Sequence, residues 1–362
     1  VWGILFIGLN LKHQGGSEMS QGDDGPRMME EIALDVQFKW TLGLLSEFLN
    51  VTKKDLRKAK RIIDTPKFKD RIVVNGKMEK RVFTFGYQSF YLLIKNKRRH
   101  ILAPHPALQK VFRAIGEKII KICPAHKKAY GFVRKRNFQM ATRSLVGSKH
   151  FFSFDISDAF PSITSEIVEK TLLDLEVPEE LVEPLGRLVT HQYQGFYRLP
   201  QGASSSPAIL NMVYKPMCEE IEAVCQKFGI RWCVYVDDFT FAGEVITSEM
   251  REALIAIPRK YGFKIKKSKT KDNLGKTVPH ILGLTIVDGQ IQLRRRTKRE
   301  FRRRFYLAWK YDTFNEWEIA GIVAVIKQTY GKDIENWPNS LKKPWLLYAE
   351  KDKRREDHDK KR

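Results

Sequence analysis

Three carboxylates stand out by residue type and spacing: Asp155, and the adjacent pair Asp237-Asp238. Each follows an apolar run of strand character, Phe151-Phe152-Ser153-Phe154 ahead of Asp155 and Trp232-Cys233-Val234-Tyr235-Val236 ahead of the pair. An Asp-Asp in a turn is ordinarily turn chemistry. Acids carried to one edge of a sheet by neighbouring strands are different, because they repel one another unless cations neutralise them. Hard oxygen donors of this kind suit Mg²⁺, which keeps several waters and completes its shell with phosphate oxygens. Two such ions about 4 Å apart stabilise both the attacking and the departing oxygen of an in-line displacement. The chemistry implied is metal-assisted phosphoryl transfer.

The elements that must position these acids can be read around them. The run ending at Asp155 predicts a buried strand, which Pro161 stops from continuing. Arg231 to Gly243 alternates around a polar break and predicts a hairpin with Asp237-Asp238 at its tip. Helices are expected over Ser165–Leu175, from there to near His191, over Ala208–Phe228 and over Ser248–Tyr261, with further strands at Phe263–Lys266 and His280–Ile286. That order gives a split βαβ, ferredoxin-like arrangement, an α+β fold with an antiparallel sheet covered by helices on one face. Ahead of it, Met28–Asn50 has rough helical spacing, and Lys53–Arg81 carries twelve Lys or Arg and predicts a basic helical stretch. The segment Val82–Leu102 predicts two apolar strands joined by the basic turn Lys95-Asn96-Lys97-Arg98-Arg99-His100, and a helix follows Pro106.

The bulk composition fits this reading. The 362 residues hold 65 Lys plus Arg against 42 Asp plus Glu, a net charge of +23, which favours a polyanionic partner. A hydrophobic fraction of 43% supports a real core. Cys123, Cys218, Cys225 and Cys233 form no C-x-x-C pair and have no His at zinc-ligand spacing, so they are expected to be reduced, buried thiols of a cytoplasmic protein. The apolar start Val1–Leu9 is too short to span a bilayer and lacks the basic leader of a signal peptide. Residues 1–27 read as an N-terminal extension, disordered or lying before the true start, for which Met19, Met28 and Met29 are candidates. No membrane partner is expected.

Three segments together carry a resemblance. Phe154-Asp155-Ile156 through Ser162-Ile163, Leu199-Pro200-Gln201-Gly202 with Ser206-Pro207, and Tyr235-Val236-Asp237-Asp238 resemble, in order and separation, the palm motifs of reverse transcriptases. Ile281-Leu282-Gly283-Leu284 is similar to the family's primer grip, and the likeness covers roughly residues 85–300. It implies a right-hand polymerase with fingers over 28–150, a palm over 151–290 with a fingers contribution near 165–198, a helical basic thumb over 291–348 and a charged, frayed tail over 349–362. It implies RNA-directed DNA synthesis with two Mg²⁺ ions, for which Mn²⁺ can substitute. Asp155 and Asp237 would be shared metal ligands and Asp238 the supporting acid. Phe160 would stand at the steric gate that excludes a ribose 2′-hydroxyl, and Gln201 and Gly202 would line the incoming base pair. Lys95 and Arg99 would hold the triphosphate, and Lys269 would protonate departing pyrophosphate.

The run Arg294–Arg304 is basic at eight of eleven positions, with Phe301, Phe305, Tyr306 and Trp309 interleaved. On a helix, Arg294, Arg295, Arg296, Lys298, Arg299, Arg302 and Arg303 would grip a duplex backbone. Gly262-Phe263-Lys264-Ile265, Ser268-Lys269-Thr270 and Gly283-Leu284-Thr285-Ile286 look most like bacterial retron enzymes. That likeness implies a cognate structured non-coding RNA as template, an RNA/DNA hybrid and deoxynucleoside triphosphates as ligands, and an effector protein in antiphage defence. Two departures stand beside it: Ile281-Leu282-Gly283 replaces the retron Val-Thr-Gly, and no Asn-Ala-x-x-His box lies between Phe160 and Leu199. The alternatives are a group II intron-type or other defence-associated reverse transcriptase, or an idle RNA-binding scaffold.

Overall fold

The structure is a computed structural model that describes residues 42–359 apart from 75–76, 95–96, 194, 267, 269, 274–278 and 315. Its elements begin with α1 (Leu42–Leu49), α2 (Lys53–Asp64), β1 (Lys67–Val74), β2 (Lys77–Thr84), β3 (Tyr87–Ile94) and β4 (Lys97–Pro104). They continue with α3 (Gln109–Ile122), α4 (Phe138–Arg143), β5 (His150–Asp155), α5 (Ser165–Asp174), α6 (Glu179–Val189), β6 (His191–Tyr193) and β7 (Phe196–Arg198). Next come α7 (Ser206–Lys227), β8 (Arg231–Tyr235), β9 (Asp238–Gly243), α8 (Ser248–Lys260) and β10 (Lys271–Asp272). The last are β11 (His280–Ile281), β12 (Leu284–Val287), β13 (Gln290–Leu293), α9 (Arg295–Tyr311), α10 (Glu316–Tyr330) and α11 (Asn339–Asp359). Two compact units result, one from residues 119–163 and 206–359, the other from 42–118 and 164–205.

The first unit is built on an antiparallel sheet of order β10-β5-β9-β8. Strand alternation puts Phe152 and Phe154 on one face, and the register sets Phe152 opposite Phe241 and Phe154 opposite Phe239. The paired rings lie 5.9 and 5.2 Å apart at their centroids, and Trp232 of β8 stacks against both Phe239 and Phe241. Fully burying one such side chain contributes roughly 1.5–3 kcal/mol, so this aromatic layer holds the three long strands rigidly together. The opposite face carries Ser153 and Asp155.

The fourth strand differs from expectation. Phe263–Lys266 forms only a bridge from Ile265 to Ile156, and the two-residue β10 pairs with β5 instead. Asp272 fixes β10 by accepting from His150 Nε2 at 2.6 Å and from Arg251, while Asn273 Oδ1 accepts from Phe151 N at 2.8 Å. The expected single strand His280–Ile286 is a hairpin, β11 and β12, which joins β13 in a separate three-stranded sheet. Leu282-Gly283 and Asp288-Gly289 make its turns, both residues of each pair at positive φ, the backbone of a type I′ hairpin. That sheet packs with α9, α10 and α11 around Phe305, Ile326, Trp337 and Leu341. The charged end of the chain is helical to Asp359 rather than frayed from 349. Lys351 anchors it by donating to the Trp309 carbonyl at 2.5 Å.

In the other unit, β1 to β4 form an antiparallel meander. The basic stretch Lys53–Arg81, expected to be helical, is α2 followed by β1 and most of β2. His105 Nε2 lies 2.9 Å from Asp70 Oδ2, tying β1 to the segment after β4. The expected hairpin at the basic turn is present as β3 and β4, the turn residues 95–96 lying outside the described residues.

Candidate active site on the carboxylate hairpin

Asp155 is the last residue of β5, and the register places it directly opposite Asp238, the first residue of β9. Side chains directly opposed across an antiparallel pair have Cβ atoms about 5 Å apart. Asp237 sits between, in the two-residue turn Val236-Asp237, and its carbonyl accepts from Ile156 N at 2.9 Å. All three predicted acids are therefore brought to one end of one sheet. Asp155 is only 8% exposed, which raises the cost of opposed negative charges there.

The turn that presents Asp237 is strained. Val236 has φ 64°, and a β-branched residue in that region is a genuine outlier. Strain of about 1–3 kcal/mol persists only where surrounding structure enforces it. Here the segment 128–131 does so by running beside β8: Val234 N donates to Lys128 O and Tyr130 N donates to Val234 O, each at 2.9 Å. Gly131 then approaches the turn so closely that a Cβ on it would lie 2.6 Å from Val236 N. Asn211 of α7 holds that glycine by donating from Nδ2 to its carbonyl at 3.2 Å.

Gly131 and Asn211 carry no signal in sequence, and Val236 shows there only as part of the strand and motif, since each role comes from an approach between distant segments. Tyr214, also on α7, was missed for the same reason. Its ring packs on Phe239 and Phe263, its hydroxyl has no hydrogen-bond partner among the described residues, and burial pushes its pKa well up, helped by the charges of Asp237 and Asp155.

Among the described residues, no three His, Cys, Asp or Glu side chains converge on a ready-made metal cage. The donor set still fits Mg²⁺, which binds through one or two carboxylates and fills its remaining positions with water and phosphate oxygens. Asp155, Asp237 and Asp238 are the residues able to hold it.

The other predicted residues are distributed as follows. Phe160, half buried, lies in the turn after β5, where its carbonyl accepts from Ile163 N at 3.1 Å. Lys95 and Lys269 lie outside the described residues. Arg99 is in β4, its backbone paired with Leu92 of β3. Gln201 and Gly202 belong to the same unit as Arg99, and there the Gln201 carbonyl accepts from Leu102 N of β4 at 3.1 Å. Gly202 has φ 141°, and a Cβ on it would stand 2.4 Å from the Leu102 carbonyl oxygen. Glycine is required there. Arg294 immediately precedes α9, and Arg295, Arg296, Lys298, Arg299, Arg302 and Arg303 lie along the helix, all but the half-buried Lys298 exposed. The interleaved aromatics divide: Phe305 is core, Phe301 packs against it, and Tyr306 and Trp309 face a surface groove.

Residues 94–286 match the family described as "Reverse transcriptase (RNA-dependent DNA polymerase)". The chain belongs to the reverse transcriptase family. Its mixed α+β architecture is accordingly a polymerase fold. Curated relatives include the retron Mx162 reverse transcriptase of Myxococcus xanthus, 27% identical over 52% of this chain and 44% of that protein. The retron Ec86 reverse transcriptase of Escherichia coli is 21% identical over 59% of this chain and 66% of that one. The chain spans about half the length of the Myxococcus relatives it matches. A solved telomerase from Candida albicans is 10% identical, with TM-score 0.44 over 69% of this chain and 55% of that one. Among the described residues no helix is long and apolar enough to cross a membrane.

Proposed function

We propose that this protein is an RNA-directed DNA polymerase whose catalytic centre is Asp155, Asp237 and Asp238. The observation that carries the reading is the register of the palm sheet, which opposes Asp155 to Asp238 with Asp237 on the adjoining turn. Two Mg²⁺ ions, replaceable by Mn²⁺, would supply charge stabilisation for the attacking hydroxyl and departing pyrophosphate. Asp155 and Asp237 hold them and Asp238 supports the pair. Phe160 excludes the ribose 2′-hydroxyl, so deoxynucleotides are preferred. Gln201 and Gly202 line the incoming base pair, Lys95 and Arg99 hold the triphosphate, and Lys269 gives a proton to the departing pyrophosphate. The basic start of α9 grips the template–product hybrid through phosphates, with binding that falls steeply as salt rises.

In this reading residues 28–150 with 165–198 supply the fingers, 151–290 the palm and 291–348 the thumb. The relatedness to retron reverse transcriptases supports a cognate structured non-coding RNA as the template, within a bacterial, cytoplasmic antiphage system that includes an effector protein. Sequencing nucleic acid copurified with the protein tests this. Branched RNA–DNA is the expected product, and a linear product or an unlinked RNA would overturn the retron assignment.

A further inference from the structure

Beyond the carboxylate hairpin, α9 and α11 enclose a groove of about 350 Å³. Its floor is apolar, made by Tyr306 and Trp309 of α9 with Pro344 and Leu347 of α11. Its rim is cationic, made by Arg302, Arg303 and Lys343. The floor is not a gap in the core. The core beneath is closed by Phe305, whose ring lies 5.6 Å from Trp345 on the inner faces of the same two helices. Tyr306 and Leu347 are instead 45% and 48% exposed.

The two aromatic rings are held open rather than stacked on each other, with centroids 5.9 Å apart and planes at 49°. Lys310 Nζ lies beside them, 5.7 Å from the Tyr306 ring centroid and 5.2 Å from that of Tyr311. Lys351 ties the far helix to the Trp309 carbonyl. Glu300 lies 3.8 Å from Arg303 but pairs more closely with Arg304, at 2.9 Å, and it is exposed enough for the Arg303 pair to count for little.

Cations alone would serve a duplex backbone, which presents only phosphates and sugars. An apolar aromatic floor has no use for such a surface. It suits a flat π-face, and nucleic acid offers one only where a base is unpaired. Acidic protein partners would match the rim and leave the floor unmatched.

We propose that the α9–α11 groove binds an unpaired nucleotide of RNA, the base lying on Tyr306 and Trp309 and its phosphates meeting Arg302, Arg303 and Lys343. The assignment rests on the reading of this protein as one that handles RNA, and it adds a site that recognises a bulged or looped-out base. The test uses the full chain and two RNA hairpins of equal length, each closed by a non-nucleotide linker so that neither has loop bases, one with a single bulged 2-aminopurine and one fully paired. The wild type should bind the bulged hairpin more tightly and quench its fluorescence. Tyr306→Ala should abolish the quench and weaken that hairpin by roughly five- to a hundred-fold, the range of one base–aromatic stack. It should leave the paired hairpin unchanged, and Tyr306→Phe should behave as wild type. Equal loss on both hairpins, no loss on either, or no wild-type preference for the bulge would overturn the groove assignment alone. If the wild type bound neither hairpin, the RNA-handling reading itself would fall.

Discussion

Replacing Gly131 by alanine tests whether the segment 128–131 enforces the geometry of the turn that presents Asp237. The added Cβ would stand 2.6 Å from Val236 N and 2.7 Å from Val236 Cγ2, whereas ordinary contact begins near 3.4 Å. The turn or the buttress must therefore shift by about 3.4 − 2.6 = 0.8 Å. The nearest partner, Val236 N, is main chain, as is Tyr235 C at 3.2 Å, so rotating the Val236 side chain alone cannot absorb the move. Overpacking of this kind costs about 1–3 kcal/mol of stability. A displacement near 1 Å at a catalytic group can cost on the order of 100-fold in rate, and the displaced turn carries Asp237. The expected result is a loss of about 100-fold in deoxynucleotide incorporation on a primed RNA template, with a lowered urea midpoint. Gly43→Ala serves as control, because its Cβ meets nothing nearer than Lys53 Nζ at 4.0 Å. It should keep full activity and gain up to about 1 kcal/mol from helix propensity. Wild-type activity and stability in Gly131→Ala would refute the buttress.

Gly202→Ala should also fail, since its φ of 141° and the 2.4 Å approach to Leu102 leave no room. Chemical denaturation should show destabilisation of about 1–3 kcal/mol, with reduced incorporation. Phe160→Ala should lower the preference for deoxynucleotides over ribonucleotides by at least about ten-fold in competition assays, the discrimination one lost apolar contact supplies. Glu169, on α5, has its pKa raised to about 7 by burial, with the charges of Glu166 and Glu183 adding to it. A carboxyl raised in the folded state favours folding below its unfolded value, and that contribution is lost as pH rises from about 4.5 to 7. Glu169→Gln should flatten the fall in unfolding midpoint across that window; an unchanged slope would contradict the assignment.

The parts of the fold most legible in sequence were those where pattern and turn chemistry agreed. Alternation around Trp232, Val234, Phe239 and Phe241 located the central hairpin, and periodicity located α5, α7 and α8 within a few residues. The strands β1 and β2 were hidden because Lys67, Lys69, Asp70, Arg71, Lys80 and Arg81 make an exposed sheet read like a solvated helix. The fourth strand of the carboxylate sheet was misplaced because β10 is two residues long and held by side chains of His150 and Arg251 rather than by an apolar run. In the site, three acids after apolar runs were visible as residue types. The support of the hairpin was not, because Tyr130-Gly131 carries no local signal and its contact with Val236 spans about a hundred residues.

The central claim is that the opposed acids of the palm hairpin perform the chemistry. The direct measurement is deoxynucleotide incorporation on a primed RNA template with Mg²⁺, comparing wild type with Asp237→Ala/Asp238→Ala after confirming that both fold. Incorporation by the wild type and its loss in the double variant is the expected result. Equal incorporation by the two proteins would contradict the account.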